Sequence, residues 1–264
     1  MTLADRRARF RALHQRPGLF VMPNPWDAGS ARLLADCGFE ALATTSAGFA
    51  WTLGRPDQRV TRDELVAHVE RLAEATDLPL SVDSERCFAG TPEGVGETVR
   101  MLAAAGACGC SIEDYDPETG AIDDPASATA RVAAAATAAH EGDPMVLTAR
   151  AENHLHGVED LDDTIARLVA YRDAGADCLY APGLTTAAQI TAVVEAVAAP
   201  VNVLSLPACP PVRELEALGV RRVSTGSLLA SAAYAAMLAG ARELLAGGGF
   251  GSPVLTPADS DGVF

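Results

Sequence analysis

A TIM-type (β/α)8 barrel is the α/β fold that this sequence predicts, on three observations. Eight short β-rich runs recur along 264 residues, and alanine-rich stretches of helical period follow them. Strands that alternate with helices run parallel, and eight such units in about 250 residues is the size of one closed barrel. No G-x-G-x-x-G follows the first run, which counts against the rival, a doubly wound open sheet.

The runs, in order, are GLFVMP (18–23), ALATTS (41–46), LPLSVDSE (78–85) and GCSIED (109–114), then MVLTARAE (145–152), CLYAPG (178–183), VNVLS (201–205) and VRRVSTG (220–226). Between the second and third lies TRDELVAHVERLAEAT (61–76), whose Thr61 and Glu64 form a capping-box pair. LDDTIARLVAYRDAG (161–175) repeats the helical pattern, and glycines in DAGAD and AAGACG stand where a helix C-cap is wanted. No linker interrupts the series, so residues 1–246 are expected to form a single domain. The glycine, proline and small polar residues of 247–264 predict a loose terminal tail.

Composition narrows the function. At 49% hydrophobic the chain can bury a large core, and its net charge of −15 argues against a nucleic-acid partner. No apolar run reaches the roughly 18 to 20 residues that span a bilayer, and the N-terminus has no apolar signal segment. The six cysteines sit mostly inside apolar segments without a disulfide-like spacing. These features predict a cytoplasmic protein that engages no membrane. All 20 basic residues are arginine; there is no lysine for a Schiff base, for pyridoxal phosphate or for a Walker-type phosphate loop.

In such a barrel the chemistry sits where strands end and loops begin. There the sequence places Asp57 in WTLGRPDQR, Asp83 and Glu85 in VDSE, Glu113 in SIED, Arg150 and Glu152 in TARAE, and Asn202 in VNVLS. Asp83 and Glu85 are two residues apart and share a strand face, so their charges repel unless a cation lies between them. Four acids at one mouth (Asp57, Asp83, Glu85, Glu113) predict a hard divalent ion, Mg²⁺ or Mn²⁺. TTSAG offers hydroxyls and small residues whose N–H groups can meet an anion, and Arg150 can hold a carboxylate with its planar fork, or pair with Glu152.

Together TTSAG, Asp57, VDSE, SIED and TARAEN, in this order, resemble the isocitrate lyase/phosphoenolpyruvate mutase superfamily; PNPWDAGSARLLADCGFEALATTSAG is similar to its N-terminal unit, and the resemblance runs from about residue 16 to 245. It implies a TIM barrel whose eighth helix is exchanged between subunits, in a homodimer or homotetramer. It further implies Asp83 as the direct metal ligand, with Asp57, Glu85 and Glu113 holding metal-bound water. Ser46, Ala47 and Gly48 match the segment that binds the α-keto-carboxylate, and Arg150 matches the arginine near the developing enolate oxygen. Glu85 stands where aspartate is more usual.

One loop departs from the pattern. Lyases of the superfamily carry Lys-Lys-Cys-Gly-His after the fourth strand, with the cysteine as general acid, and mutases and hydrolases place lysine and asparagine there. This chain has EDYDPETGAIDDPAS instead. Tyr115 is then the expected proton donor, and Asp116, Cys87, His154 and His156 lie on neighbouring loops. CGC (108–110) reads as packing, and STGS (224–227) as a helix cap or a phosphate site. The implied activity is Mg²⁺-dependent lysis of a C–C bond in a small α-keto or α-hydroxy carboxylic acid, of the 2-methylisocitrate lyase type. The alternatives are a phosphonomutase, a hydrolase or decarboxylase of an oxaloacetate-like acid, and an inert metal- and oxalate-binding barrel.

Overall fold

In the computed structural model, residues 1–251 and 253–264 are described, the side chains at 258 and 259 aside. The barrel strands are β1 (Phe20–Met22), β2 (Leu42–Ala43), β3 (Leu80–Asp83), β4 (Gly109–Glu113), β5 (Val146–Arg150), β6 (Cys178–Tyr180), β7 (Val201–Leu204) and β8 (Arg222–Ser224). They form one parallel sheet in the order β1-β8-β7-β6-β5-β4-β3-β2. The Ala43 N–H donates to the Pro23 carbonyl at 3.0 Å, which ties β2 back to β1 and nearly closes the ring. Each strand lies inside a predicted run. Residues of the runs beyond the ladder, such as Glu85 and Glu152, belong to the loops.

Alternation along the strands sorts side chains into two layers. Leu80, Val82, Cys110, Ile112, Leu147, Ala149, Leu179 and Val203 face the helices and form the main core. Ser81, Ser111, Thr148, Asn202 and Ser224 line the barrel's inside. Barrel interiors are normally filled by bulky branched residues. Small polar side chains at these positions leave a cavity.

The N-terminal helix Leu3–Gln15 closes the barrel's other end. It opens on a capping box formed by Thr2 and Asp5 and packs Phe10 and Leu13 against Phe20, Met22 and Val146. Phe10 approaches so closely that a Cβ at Gly109 would lie 2.7 Å from its ring and from the Val146 carbonyl oxygen, so β4 must begin with glycine. Arg7 fixes the plug by donating to the carbonyls of Ala107 (3.0 Å), Ala103 (2.7 Å) and Asp143 (3.0 Å).

His14, on the same helix, bonds the Phe10 carbonyl through Nδ1 at 2.8 Å, which puts the proton on Nδ1. Its Nε2 then accepts from Arg222 Nη1 at 3.1 Å. Burial, and secondly the Arg222 charge, push the imidazole down to about 3. The unfolded chain therefore takes up a proton below the ordinary value of 6.5 that the folded chain refuses, and stability present above that pH is lost as pH falls towards 3. Urea titration is expected to show about 2 kcal/mol lost to this group between pH 7 and pH 5. His14→Gln should flatten that slope, and an equal loss in both proteins would exclude His14 as its source.

The helix Leu228–Leu245 buries only Ala230 and Gly240 and exposes Leu229, Met237, Leu238, Leu244 and Leu245. With 18 residues it is long and apolar enough, by length and composition, to cross a membrane, so the expectation that no run reaches that length does not hold. Beyond it, the segment expected as a loose tail carries a short helix, Pro257–Asp261. Phe250 folds back onto Gly240, where any Cβ would strike its ring. After β4, Tyr115–Asp116 and Ala121–Ile122 pair as a small antiparallel hairpin.

Candidate active site

A cavity of about 340 Å³ opens at the C-terminal ends of the strands. β3 delivers Asp83 to its wall. The Asp83 backbone N–H donates to Thr44 Oγ1 at 2.8 Å, Oδ2 accepts from the Ser46 amide at 3.0 Å, and Oδ1 accepts from Arg150 Nη1 at 2.8 Å. Ser46 opens the helix Ser46–Thr52, whose N-cap Thr45 accepts from the Gly48 amide at 3.3 Å. TTSAG thus works as a helix start that leans on Asp83.

β5 delivers Arg150, and three acids gather on it. Beyond Asp83, its Nε meets Glu152 Oε1 at 2.7 Å and its Nη2 meets Glu113 Oε2 at 3.2 Å. The guanidinium lies 5.3 Å from the centre of the Tyr180 ring. Burial works against its charge, and Glu152, Glu113 and Asp83 more than offset it. Glu113 and Glu152 are both buried; burial raises their pKa values, and the Arg150 charge pulls them back. Glu113 also accepts from Gln58 Nε2 at 2.8 Å. The Glu152 amide donates to Asp114 Oδ1 at 2.9 Å, and Asp114 is held by Tyr171 at 2.6 Å and Arg167 at 3.2 Å.

Glu85 and Asp57 flank this group. Burial first, then Asp83 and Asp57, push the Glu85 carboxyl up to about 8. Partial loss of water and the Asp83 charge likewise raise Asp57. Glu85 (φ 49°), Cys87 (φ 57°) and Phe88 (φ 51°) all adopt left-handed backbone conformations, as does Gln58 beside Asp57 (φ 61°). Such conformations cost side-chain-bearing residues energy and concentrate at functional loops.

The residues expected from sequence divide into two groups. Ser46, Ala47, Asp57, Asp83, Arg150 and Asn202 line the one cavity. Glu113 stands behind Arg150, and Gly48 is buried within its helix. Glu85 faces a neighbouring cavity of about 350 Å³ with Arg59 and Arg86. Tyr115 sits on the hairpin, stacked on His156 at 3.5 Å and 9°, outside the lining of the main cavity.

Among the described residues no three Asp, Glu, His or Cys side chains are gathered closely enough to hold a metal ion. Arg150 supplies the positive charge that Asp83 and Glu113 require. The donor set nevertheless fits a hard cation in its chemistry. Besides burial, the Asp83 charge acts on Asp57 and on Glu85, and Glu85 Oε1 is buried without a hydrogen-bond partner among the described residues.

Other motifs resolve simply. The amides of Thr225 and Gly226 in STGS both donate to Asn24 Oδ1 at 2.9 Å, so this turn is satisfied internally. Cys87 is fully buried and its thiol is pushed up to about 11, the state of an inert core cysteine. Cys108 and Cys110 are buried likewise. Sequence reasoning missed Tyr180 and Asn24. Period-two alternation in CLY does place Tyr180 at the strand end, and PNP after β1 marks Asn24 as a turn residue.

Comparison with known proteins finds relatives over most of the chain. Residues 10–245 match the family model described as phosphoenolpyruvate phosphomutase. A solved Burkholderia cenocepacia J2315 chain described as a lyase/mutase is 51% identical, with a TM-score of 0.94 over 98% of this chain and 95% of that one. Oxaloacetate acetylhydrolase in complex with its product oxalate is 28% identical, with a TM-score of 0.88 over 98% and 94% of the two chains. The oxaloacetate decarboxylase of Paraburkholderia xenovorans (strain LB400) is 34% identical over 233 residues, 84% of this chain and 75% of its own length.

Proposed function

We propose, for a chain that belongs to the isocitrate lyase/phosphoenolpyruvate mutase superfamily of enzymes, a divalent-metal-dependent lyase reaction on a C–C bond of a small α-keto or α-hydroxy carboxylic acid. One observation carries this reading: Arg150, the Asp83 carboxylate and the Ser46 amide converge on a single cavity wall. By the superfamily pattern Asp83 would hold Mg²⁺ or Mn²⁺ directly, with Asp57, Glu85 and Glu113 acting through water, and the bound ion supplies Lewis-acid polarisation of a keto oxygen.

The protein's own groups do the rest. Three of Arg150's N–H donors meet Asp83, Glu113 and Glu152, leaving two of the guanidinium's five for an oxygen in the cavity. Held so, they favour negative charge that develops there as the bond breaks, without reorganising. By the superfamily pattern the segment Ser46, Ala47, Gly48 would meet the substrate carboxylate, and of these Ser46 and Ala47 line the cavity. Asn202, whose Oδ1 is held by Arg222 Nε at 2.9 Å, turns its amide N–H₂ towards Ser224 and the cavity.

The hairpin after β4 favours a second reading. Between residues 114 and 124 it carries only Tyr115 and acids as proton donors, and Tyr115 stands outside the cavity. Decarboxylation or hydrolysis of an oxaloacetate-like acid asks less of a loop acid than lysis does.

Calorimetry with Mn²⁺ and oxalate, followed by assay over C4 to C7 keto and hydroxy acids, tests the proposal. Oxalate is expected to bind only in the presence of the metal, and at least one acid of the panel to turn over. General-acid help is worth about 10² to 10⁴ in rate, so isocitrate and 2-methylisocitrate should be poor substrates. Efficient isocitrate cleavage near the enzyme median of about 10 s⁻¹ would contradict this reading of the loop. Tyr115→Phe should spare oxalate binding, and loss of turnover in that variant would assign the proton to Tyr115.

The exposed apolar face of the helix Leu228–Leu245 is proposed as a subunit interface in a homodimer or homotetramer. Light scattering at micromolar concentration is expected to give two or four times the 27.3 kDa chain mass. A monomer would remove the proposal.

A further inference from the structure

We infer that the acid this site accepts carries an uncharged alkyl group on the side remote from its reacting carboxylate. The inference rests on the lyase reading above and names the substrate class within it. Its basis is the composition of one cavity wall. Leu155, Pro182, Leu204 and Leu206 all line the cavity. They come from the ends of β5, β6 and β7, which are neighbours in the sheet. The same strands also deliver the polar side chains of Arg150, Tyr180 and Asn202 to the cavity, and Arg150 reaches Asp83 at the end of β3. Leu155, Pro182 and Leu206, which follow those strands, therefore set an aliphatic rim beyond a polar floor.

Leu155 stays 49% exposed instead of packing into the core. Its place is set by Gly183, at φ 95°, where a Cβ would lie 3.0 Å from His154 and from the Leu155 nitrogen. An open leucine held over a cavity by a glycine contact offers apolar surface to whatever enters.

The cavity's charges point the same way. Its cations are Arg150 and Arg222. Arg150 is shared among Asp83, Glu113 and Glu152. Arg222 lies at the floor, where it donates to Asn202 (2.9 Å), Thr148 (2.9 Å) and His14 (3.1 Å). Both arginines are strand residues, and no cation among the described lining residues comes from the aliphatic rim that follows β5, β6 and β7. A second carboxylate placed there would lose water without gaining a partner, whereas each methylene buried there should tighten binding about fourfold.

The test uses the Mn²⁺-loaded protein and competition against oxalate, followed by calorimetry. Pyruvate, 2-oxobutyrate and 2-oxovalerate are expected to bind progressively more tightly, by about fourfold per methylene. 2-Oxoglutarate, which replaces the terminal methyl of 2-oxovalerate by a carboxylate, should bind at least about tenfold more weakly than 2-oxovalerate. Leu155→Arg, checked for an unchanged melting profile, is expected to reverse that order. Oxalate binding combined with equal or tighter 2-oxoglutarate binding overturns this inference alone. Failure of oxalate to bind overturns the lyase reading beneath it. Should Leu155→Arg misfold, the wild-type series still decides.

Discussion

Asp83→Ala is expected to remove Mg²⁺ and Mn²⁺ binding and all measurable turnover while the barrel still folds. Asp83 is the one acid that lines the main cavity while bonding both Arg150 and the helix start at Ser46. Burial raises Asp57 and Glu85, and the Asp83 charge adds to both. Its removal deletes the proposed direct ligand, and Lewis-acid help is worth several kcal/mol of barrier, roughly 10³-fold or more in rate. The fold should survive. Glu113 and Glu152 remain to compensate Arg150, so the loss is that of hydrogen bonds to a charged group, about 1.5–3 kcal/mol each. Calorimetry that finds unchanged metal affinity in a folded Asp83→Ala protein would falsify the metal assignment. Circular dichroism on the same sample separates that outcome from simple unfolding.

What the sequence made legible, and what it hid, follows from the range of the interactions. Each barrel strand was readable because a parallel strand covered by helices is a short apolar run, and Asp83, Glu113 and Arg150 could be placed because strand ends are local. The partners of those side chains were not local. Arg150 meets Asp83 across 67 positions of chain, and no period in the sequence announces that two of the four acids, Asp83 and Glu113, pair with an arginine. Glu85 shows the limit of strand logic. Alternation puts it on the face of Asp83, but the ladder ends at Asp83, and the left-handed turn at Glu85 aims it at the neighbouring cavity. The N-terminal plug was hidden for another reason. Its helix has no clean apolar stripe, and it is anchored by Arg7 and His14 through contacts with carbonyls and with Arg222 that lie some 100 to 208 positions away.

Arg150→Met is expected to cost about 3–5 kcal/mol of stability, the usual consequence of breaking a buried ion group by removing one partner. For a chain of this size that is a fall in Tm of roughly 10 °C. The argument turns on what is left behind. Methionine fills much of the volume and spares the packing against Tyr180, but Asp83, Glu113 and Glu152 then face one another with no cation. Burial already pushes Glu113 and Glu152 upward, and Arg150 is the chief force that pulls them back. Without it they protonate in the folded state at pH values where the unfolded chain keeps them ionised. The folded variant then binds more protons than the unfolded one, so its stability rises as pH falls. The gap between wild type and Arg150→Met should therefore narrow between pH 8 and pH 5, measured by urea unfolding at each pH. Arg150→Lys keeps the charge and should recover part of the stability, though not the forked contact with three acids. A gap that stays constant with pH would mean that Arg150 holds the site by packing and not by charge.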